Sequence, residues 1–511
     1  MNRMRNVKRT VAVNFVGRIL LLLTAFVIKT LIVRRLGVEY VGLGSLFSSV
    51  LQVLGLTELG FGAAITCRMY RPAAEDDRKK LCALLAFQRK VCLAVGAAIL
   101  TLGLAVMPLL PRLVTGNVPP DINLYTLFLI YLANAAGPYL CVGYMQTLYT
   151  AQQRVDSFQL ISVLSNLLMN ACQILALLLT RDYYLYIIFM PLFNIGFNIA
   201  AFLYGKKLFP DIRCVGGISP EERKAIRRYV SGYALSQLSV AGRSAFDSIV
   251  ISMFLGLTEL GKYQISYTVI TVLAGVLTVL TTAFRPAIGS SVATGSPEKT
   301  VREFTVFSFG YRWISSWCAV CLLCLIQPFV RLWTGTENVP SFPLALLLSL
   351  LFYVSRIEDV YALYKEVSGM YARDRIRPVL ESAVNLVLNV LLVVRFGVCG
   401  IVAATVLSLV CVNLPLSVRL LFRECFRTSP GPHCRALLRD LLLFLLSAAA
   451  AWGLCLLTGP LEDLPGLLIR AAICLAVPNL LYYGVYHRSP LFSEALGYLG
   501  IRKKSRKAES R

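Results

Sequence analysis

Residues 36–54 read LGVEYVGLGSLFSSVLQVL, and residues 255–273 read LGLTELGKYQISYTVITVL; the two align without a gap at an offset of 219. Leu36, Gly37, Gly42, Val50, Val53 and Leu54 recur as Leu255, Gly256, Gly261, Val269, Val272 and Leu273. Further along, Arg154, Asn166 and Asn170 recur as Arg373, Asn385 and Asn389 at the same offset. A single offset held over both stretches marks an internal duplication, so the chain has to fold as two similar units.

The units belong in a membrane. Hydrophobic residues make up 57% of the chain and charged residues 15%, with mean hydropathy +0.68, against roughly 25% charged residues in a soluble domain. Fourteen apolar runs follow one another between residues 11 and 486, each long enough to cross a hydrocarbon layer of about 30 Å as a helix. The first, at 11–33, lacks a small-residue cleavage site and reads as a retained span. With the N-terminus inside, the inner loops hold 33 Lys and Arg and the outer loops 6. That bias places both ends in the cytoplasm. It also accounts for the net charge of +24 without nucleic acid. The basic tail (Arg502, Lys503, Lys504, Arg506, Lys507) and the loop at 205–228 suit anionic lipid headgroups.

Six spans per copy give both copies one orientation, related by an axis along the membrane normal. The expected division is an N-terminal six-helix lobe at 1–210, a cytoplasmic linker at 211–228 and a repeated lobe at 229–425. Two further helices at 426–490 and a basic tail at 491–511 lie outside the repeat. The fold class is all-α integral membrane: about fourteen transmembrane helices in two repeated lobes plus two.

One stretch resembles a known family. Leu36-Gly37, Glu39-Tyr40, Gly42-Leu43, Ser45-Leu46-Phe47, Glu58-Leu59-Gly60, Gly62, Ala64-Ile65, Tyr70, Pro72 and Asp76-Asp77-Arg78-Lys79-Lys80 resemble the polysaccharide flippases (Wzx/PST type) of the MOP exporter superfamily. That superfamily also holds the MATE exporters and lipid II flippases. The motifs fall within residues 30–90. The resemblance implies two MATE-like lobes around a central cavity that opens alternately to each side. Its implied cargo is an undecaprenyl-pyrophosphate-linked glycan, moved across the bacterial cytoplasmic membrane and passed on to a polysaccharide polymerase.

Charges inside spans suggest where cargo and ions would bind, because each costs about 2.5–3.5 kcal/mol to insert and needs a wet cavity or a partner. Asn14, Arg18 and Lys29 share one stripe of the first span; Ser236, Ser239, Arg243 and Asp247 share one stripe of the seventh. Facing each other, Arg18, Lys29 and Arg243 would attract a pyrophosphate or acidic sugar, with Asn14, Ser236 and Ser239 beside them. The plainer alternative is that Arg18 and Lys29 snorkel to the membrane faces while Arg243 pairs with Asp247 along one helix. Glu58, with Asp247, is the candidate for coupling to H+ or Na+; its alternative is an interfacial pair with Arg68 or Arg71. Glu358 and Asp359 beside Arg356 read as an interfacial salt-bridge cluster, and Asn166, Asn170, Asn385 and Asn389 as hydrogen-bonding contacts between helices. Trp313, Trp333, Tyr482 and Tyr483 read as interfacial anchors.

No cofactor is expected. The 15 cysteines lie mostly within spans as small packing residues, and Cys318, Cys321 and Cys324 have no fourth ligand near them in sequence. The two histidines, His433 and His487, cannot build a His-based site. The expected activity is transport without catalysis. The rivals are a lipid II flippase or a MATE-type cation-coupled exporter and, in a different class, a membrane polysaccharide polymerase or ligase. An exporter of organic cations calls for an acidic cavity and the enzyme for a large outer loop with reactive residues.

Overall fold

In a computed structural model the chain is helical, with no strand among the described residues. Described are residues 2–55, 60–116, 118–370, 373–458 and 464–498; side chains at 2–16, 18–19, 229, 231–241, 293, 464 and 498 lie outside the description. Two compact units divide the chain, residues 1–261 and 262–511.

The first unit contains α1 (Asn2–Arg35), α2 (Val38–Gly55), α3 (Phe61–Ala74), α4 (Arg78–Val106) and the short α5 (Leu110–Leu113). It continues with α6 (Leu124–Leu140), α7 (Met145–Ala151), α8 (Val155–Leu179), α9 (Tyr183–Leu208) and α10 (Pro220–Leu255). Local chemistry sets the starts. Asp77 caps α4 by accepting from the Lys80 amide at 3.0 Å, and Asn123 and Asp182 cap α6 and α9 in the same way. Packing follows small residues and amides. Gly17 brings α1 onto Val163 of α8, and Asn170 donates to Thr24 Oγ1 at 2.6 Å between the same helices. Gly44 leaves room on α2 for the hydroxyls of Tyr131 and Tyr183.

The second unit takes most of α11 (Leu257–Thr294), then α12 (Pro297–Thr334), α13 (Phe342–Val367), α14 (Ile376–Ser408) and α15 (Leu414–Leu420). Gly397 breaks α14 with φ 56° and ψ −137°, where the sequence separates two spans. Three helices close the chain: α16 (Gly431–Leu457), α17 (Leu464–Tyr486) and α18 (Pro490–Tyr498). The first is clamped onto α12 by a buried Arg312–Asp440 pair at 2.7 Å. Tyr482 is fully buried there and donates to the Asp440 carbonyl at 3.2 Å, and Trp313 donates to Asn479 at 2.9 Å. These two aromatics pack α17 against α12 and α16, with Asp440 and Asn479 as their polar partners inside the unit.

The chain is a multi-pass membrane protein. Among the described residues, nine helices are long and apolar enough to cross a membrane, or ten if the bent α6–α7 pair is one span. Every expected apolar run has a helix, yet a single-helix test registers fewer than fourteen. One reason is α13, whose Arg356, Glu358 and Asp359 interrupt its apolar run.

The structure explains the repeated Leu-Gly motif. Gly37 and Gly256, equivalent in the repeat, both take the left-handed backbone (φ 131° and 90°) before α2 and α11, which favours glycine. The first turn of α11 belongs to the first unit and lies against α2. A Cβ on Gly42 would sit 2.1 Å from the Leu257 carbonyl oxygen; one on Gly261 would sit 2.2 Å from that of Val38. Val38 and Leu257 are themselves repeat equivalents, as are Glu39 and Thr258, which share a 3.1 Å hydrogen bond. The contact is reciprocal.

Candidate functional site

A cavity of about 960 Å³ opens inside the first unit, walled by α2, α3, α4, α6, α7, α8 and α9. A programmed bend creates part of it. Pro138 and Gly143 interrupt the helical ladder, the Gly143 amide donates to the Pro138 carbonyl at 2.9 Å, and α6 and α7 meet at 52°. The bend brings Gln146, Thr147 and Thr150 of α7 to the wall.

Six amides line the space: Gln52, Gln88, Asn134, Gln146, Asn194 and Asn198. No acidic or basic side chain does so among the described residues. Asn194 donates to Asn134 Oδ1 at 3.2 Å, joining α9 to α6, and Asn198 donates to the Asn194 carbonyl at 2.8 Å. Gln88, on α4, is 5% exposed; its Nε2 contacts Cys92 Sγ at 3.5 Å, while Oε1 is buried without a hydrogen-bond partner. Tyr131, Tyr139, Phe158 and Phe197 supply aromatic surface. Such a wall can donate and accept at many points and offers no net charge.

The second unit holds a buried ionic cluster. Arg377 makes a forked contact to Asp374 (2.8–2.9 Å) and reaches Glu381 at 3.2 Å and Glu358 at 3.7 Å. Lys365 donates to Asp374 at 3.1 Å and Ser417 at 3.0 Å. Asn413 donates to Glu358 and Glu381 at 2.5 and 2.6 Å. Arg377, Lys365, Asp374 and Glu381 are all buried, Glu381 completely. The neighbouring Asp359 turns elsewhere, to Arg356 at 2.6 Å and Tyr311 at 2.9 Å. The grouping of Glu358 with Asp359 and Arg356 as one interfacial cluster is thus corrected: adjacent residues on a helix point to different sides.

Most of the sequence-nominated site lies elsewhere or outside the description. Glu58 is outside the described residues, and so are the side chains of Asn14 and Arg18 on α1 and of Ser236 and Ser239 on α10. Lys29 is half-buried on α1; Arg243 is half-buried and Asp247 buried on α10. All three take part in interactions, and none of them lines the cavity. Arg71, a suggested partner of Glu58, pairs with Glu75 at 2.8 Å. Asn385 donates to Thr405 across the α14 break at 3.0 Å.

The sequence reading missed the cavity amides because it started from charges within spans and took up only the polar residues beside them or at the repeat offset. Their signal was available: uncharged amides inside apolar spans, with Asn194 and Asn198 one turn apart. It missed Lys365 and Arg377 for another reason, having counted both among the basic residues of a cytoplasmic loop. The fold adds one juxtaposition to the cysteine reading. Cys455 and Cys474, remote in sequence, bring their sulfurs within 4.8 Å of Cys324 and of each other, a convergence that spacing within one helix cannot reveal.

No protein-family model matches the sequence, and a search of curated proteins finds no match either. Solved structures do match. The lipid II flippase MurJ in an inward closed conformation aligns with TM-score 0.64 at 16% identity, over 94% of this chain and 98% of its own. An inward-facing multidrug resistance MATE family transporter of the MOP superfamily gives 0.60 at 15% identity, over 76% and 91%. An outward-facing one gives 0.54 at 14%, over 84% and 97%. The chain has the fold of these MOP superfamily membrane transporters.

Proposed function

We propose that the protein is a flippase carrying a polyprenyl-pyrophosphate-linked oligosaccharide across the bacterial cytoplasmic membrane, for assembly of a surface polysaccharide. The observation that carries this reading is the extent of the fold. Its likeness to a lipid II flippase runs over 94% of this chain and 98% of the other, whereas the two exporters cover 76% and 84% of this chain. Among the described residues the cavity wall carries no acidic side chain, which speaks in the same direction, since an organic cation calls for an acidic wall.

In this reading the lobes rock by alternating access. The prenyl tail stays in lipid, and the pyrophosphate meets Arg18, Lys29 and Arg243, with Asn14, Ser236 and Ser239 alongside. Glu58 and Asp247 would couple the cycle to H+ or Na+. Both termini face the cytoplasm, as the loop bias requires, and a polysaccharide polymerase takes the product. No bond is made or broken.

The test is to deplete the protein in its host and identify the lipid-linked saccharides that accumulate. Complete polyprenyl-pyrophosphate repeat units on the inner leaflet are expected. Accumulated lipid II would reassign the cargo to the peptidoglycan precursor. Unchanged pools with altered sensitivity to organic cations would replace the reading with an exporter.

A further inference from the structure

The amide-lined cavity of the first unit is well formed, yet its described residues offer a pyrophosphate no cation. Its wall presents no cation for a phosphate and no carboxylate for a cation among the described residues. A purely apolar guest would leave the six amides unpaired, and a buried polar group without a partner costs free energy. The guest that suits this wall is uncharged and rich in hydroxyl or acetamido groups. A hydroxyl both donates and accepts, as an amide does, and the apolar faces of a sugar ring can lie on aromatic side chains.

We infer that this cavity is a saccharide subsite, holding the uncharged sugars of the cargo while the pyrophosphate binds elsewhere. The inference rests on the flippase reading and deepens it. Gln88 gives it a specific anchor. Its Oε1 is buried at the cavity wall with no hydrogen-bond partner, although the residue is only 5% exposed. Rotation of the buried amide toward the cavity brings Oε1 within reach of a sugar hydroxyl or acetamido N–H that satisfies it. Asn194 and Asn198, joined across α6 and α9 through Asn134, form a second rim of donors and acceptors. At about 960 Å³ the space lies at the upper end of small-molecule pockets, and it accommodates an oligosaccharide better than a single ion.

The protein carries its own reporter. Cys67 lines the cavity and is exposed, so maleimide labelling of Cys67, resolved by peptide mass spectrometry, reads occupancy. The full chain in lipid nanodiscs is labelled with three probes. They are the lipid-linked saccharide fraction of the depleted host, the lipid phosphate kept from that fraction after mild acid has released the glycan and an aqueous wash has removed it, and tetraphenylphosphonium.

Intact fraction is expected to slow Cys67 labelling about tenfold, as a site built around hydroxyl hydrogen bonds would; the acid-treated fraction and the phosphonium are expected to leave it unchanged. Gln88→Met and Asn194→Leu, which keep side-chain volume, should abolish that protection without lowering the yield of folded protein. Equal protection by intact and acid-treated fractions would overturn the inference in favour of a lipid-phosphate site. Protection by the phosphonium would overturn it in favour of a cation site. No protection, with repeat units still accumulating in the depleted host, overturns the subsite and leaves the flippase standing. No protection and no accumulation overturns both.

Discussion

The two units put different chemistry at matching positions of one duplicated frame. At the repeat offset, Tyr139, Gln146, Phe158, Asn194 and Asn198 correspond to Glu358, Lys365, Arg377, Asn413 and Ser417. The first five line the cavity of the first unit. The second five belong to the ionic cluster of the second unit, in which Arg377, Lys365, Asn413 and Ser417 are all buried. Only the asparagine is kept, and even its task differs: Asn194 ties two helices at the cavity wall, whereas Asn413 bridges two carboxylates. The comparison teaches how one set of positions in a duplicated frame can line a cavity in one copy and be filled by its own side chains in the other. Ionic side chains can do the filling because each is matched there, with Asp374, Glu358 and Glu381 distributed around Arg377 and Lys365.

The largest effect should come from unmatching that cluster. Arg377→Met leaves the buried Asp374 and Glu381 and the half-buried Glu358 without their guanidinium, a change that costs about 3–5 kcal/mol. Phe158→Met, at the equivalent cavity position, should cost less than about 1.5 kcal/mol because volume and polarity change little. Thermal unfolding of both variants in detergent measures the contrast. If Arg377→Met melts no lower than Phe158→Met, the ionic cluster is not what holds these positions together in the second unit.

The reciprocal contact predicts the opposite pattern, equality. In Gly42→Ala and Gly261→Ala the new methyl meets a backbone carbonyl on the facing helix, at 2.1 and 2.2 Å. Neither oxygen can rotate away, so the helices must separate. Overpacking of this kind costs about 1–3 kcal/mol, and the two substitutions should lower the melting temperature alike. A large cost at one glycine with none at the other would break the symmetry read from Val38, Gly42, Leu257 and Gly261.

Copying one residue from the filled positions into the cavity-lining ones tests the cavity itself. Gln146→Lys introduces the side chain found at the equivalent Lys365. Gln146 is exposed to the cavity, so the fold should keep its stability within about 0.5 kcal/mol. Cargo turnover, read as accumulated lipid-linked saccharide in a complemented host, should fall about tenfold, which corresponds to about 1.4 kcal/mol. Full complementation by this variant would remove the cavity from the transport route.

Much of the architecture was legible in sequence, because apolar length and a repeat offset are carried by many residues at once. The offset even aligns helix starts: α4 begins after Asp77 and α12 after Ser296, its equivalent, and both residues cap. The site was less legible. Lys365 and Arg377 lie in sequence between two spans, where a basic residue ordinarily marks the cytoplasmic face. Only the fold shows that Asp374, Glu358 and Glu381 draw them inward. Gln88 is one amide in an apolar helix, and nothing local separates it from a residue bonding to a neighbouring helix. Its significance comes from an oxygen that three-dimensional packing leaves without a partner.

The smallest effect concerns the asparagines that carry the second stretch of the repeat. Asn170 donates to Thr24 at 2.6 Å between α8 and α1, and Asn385 donates to Thr405 at 3.0 Å across the break in α14. Hydrogen bonds between helices in a membrane average about 0.6 kcal/mol in double-mutant cycles. The cycle of Asn170→Leu with Thr24→Val should therefore return a coupling of about 0.6 kcal/mol, and that of Asn385→Leu with Thr405→Val a similar one. Both bonds join an amide to a threonine, so the comparison isolates environment from chemistry. A coupling well above that value only at Asn385 would mean that the surroundings of the ionic cluster strengthen even its neutral neighbours. A difference of that kind would extend the contrast between the units from their charges to the polarity of their whole interiors.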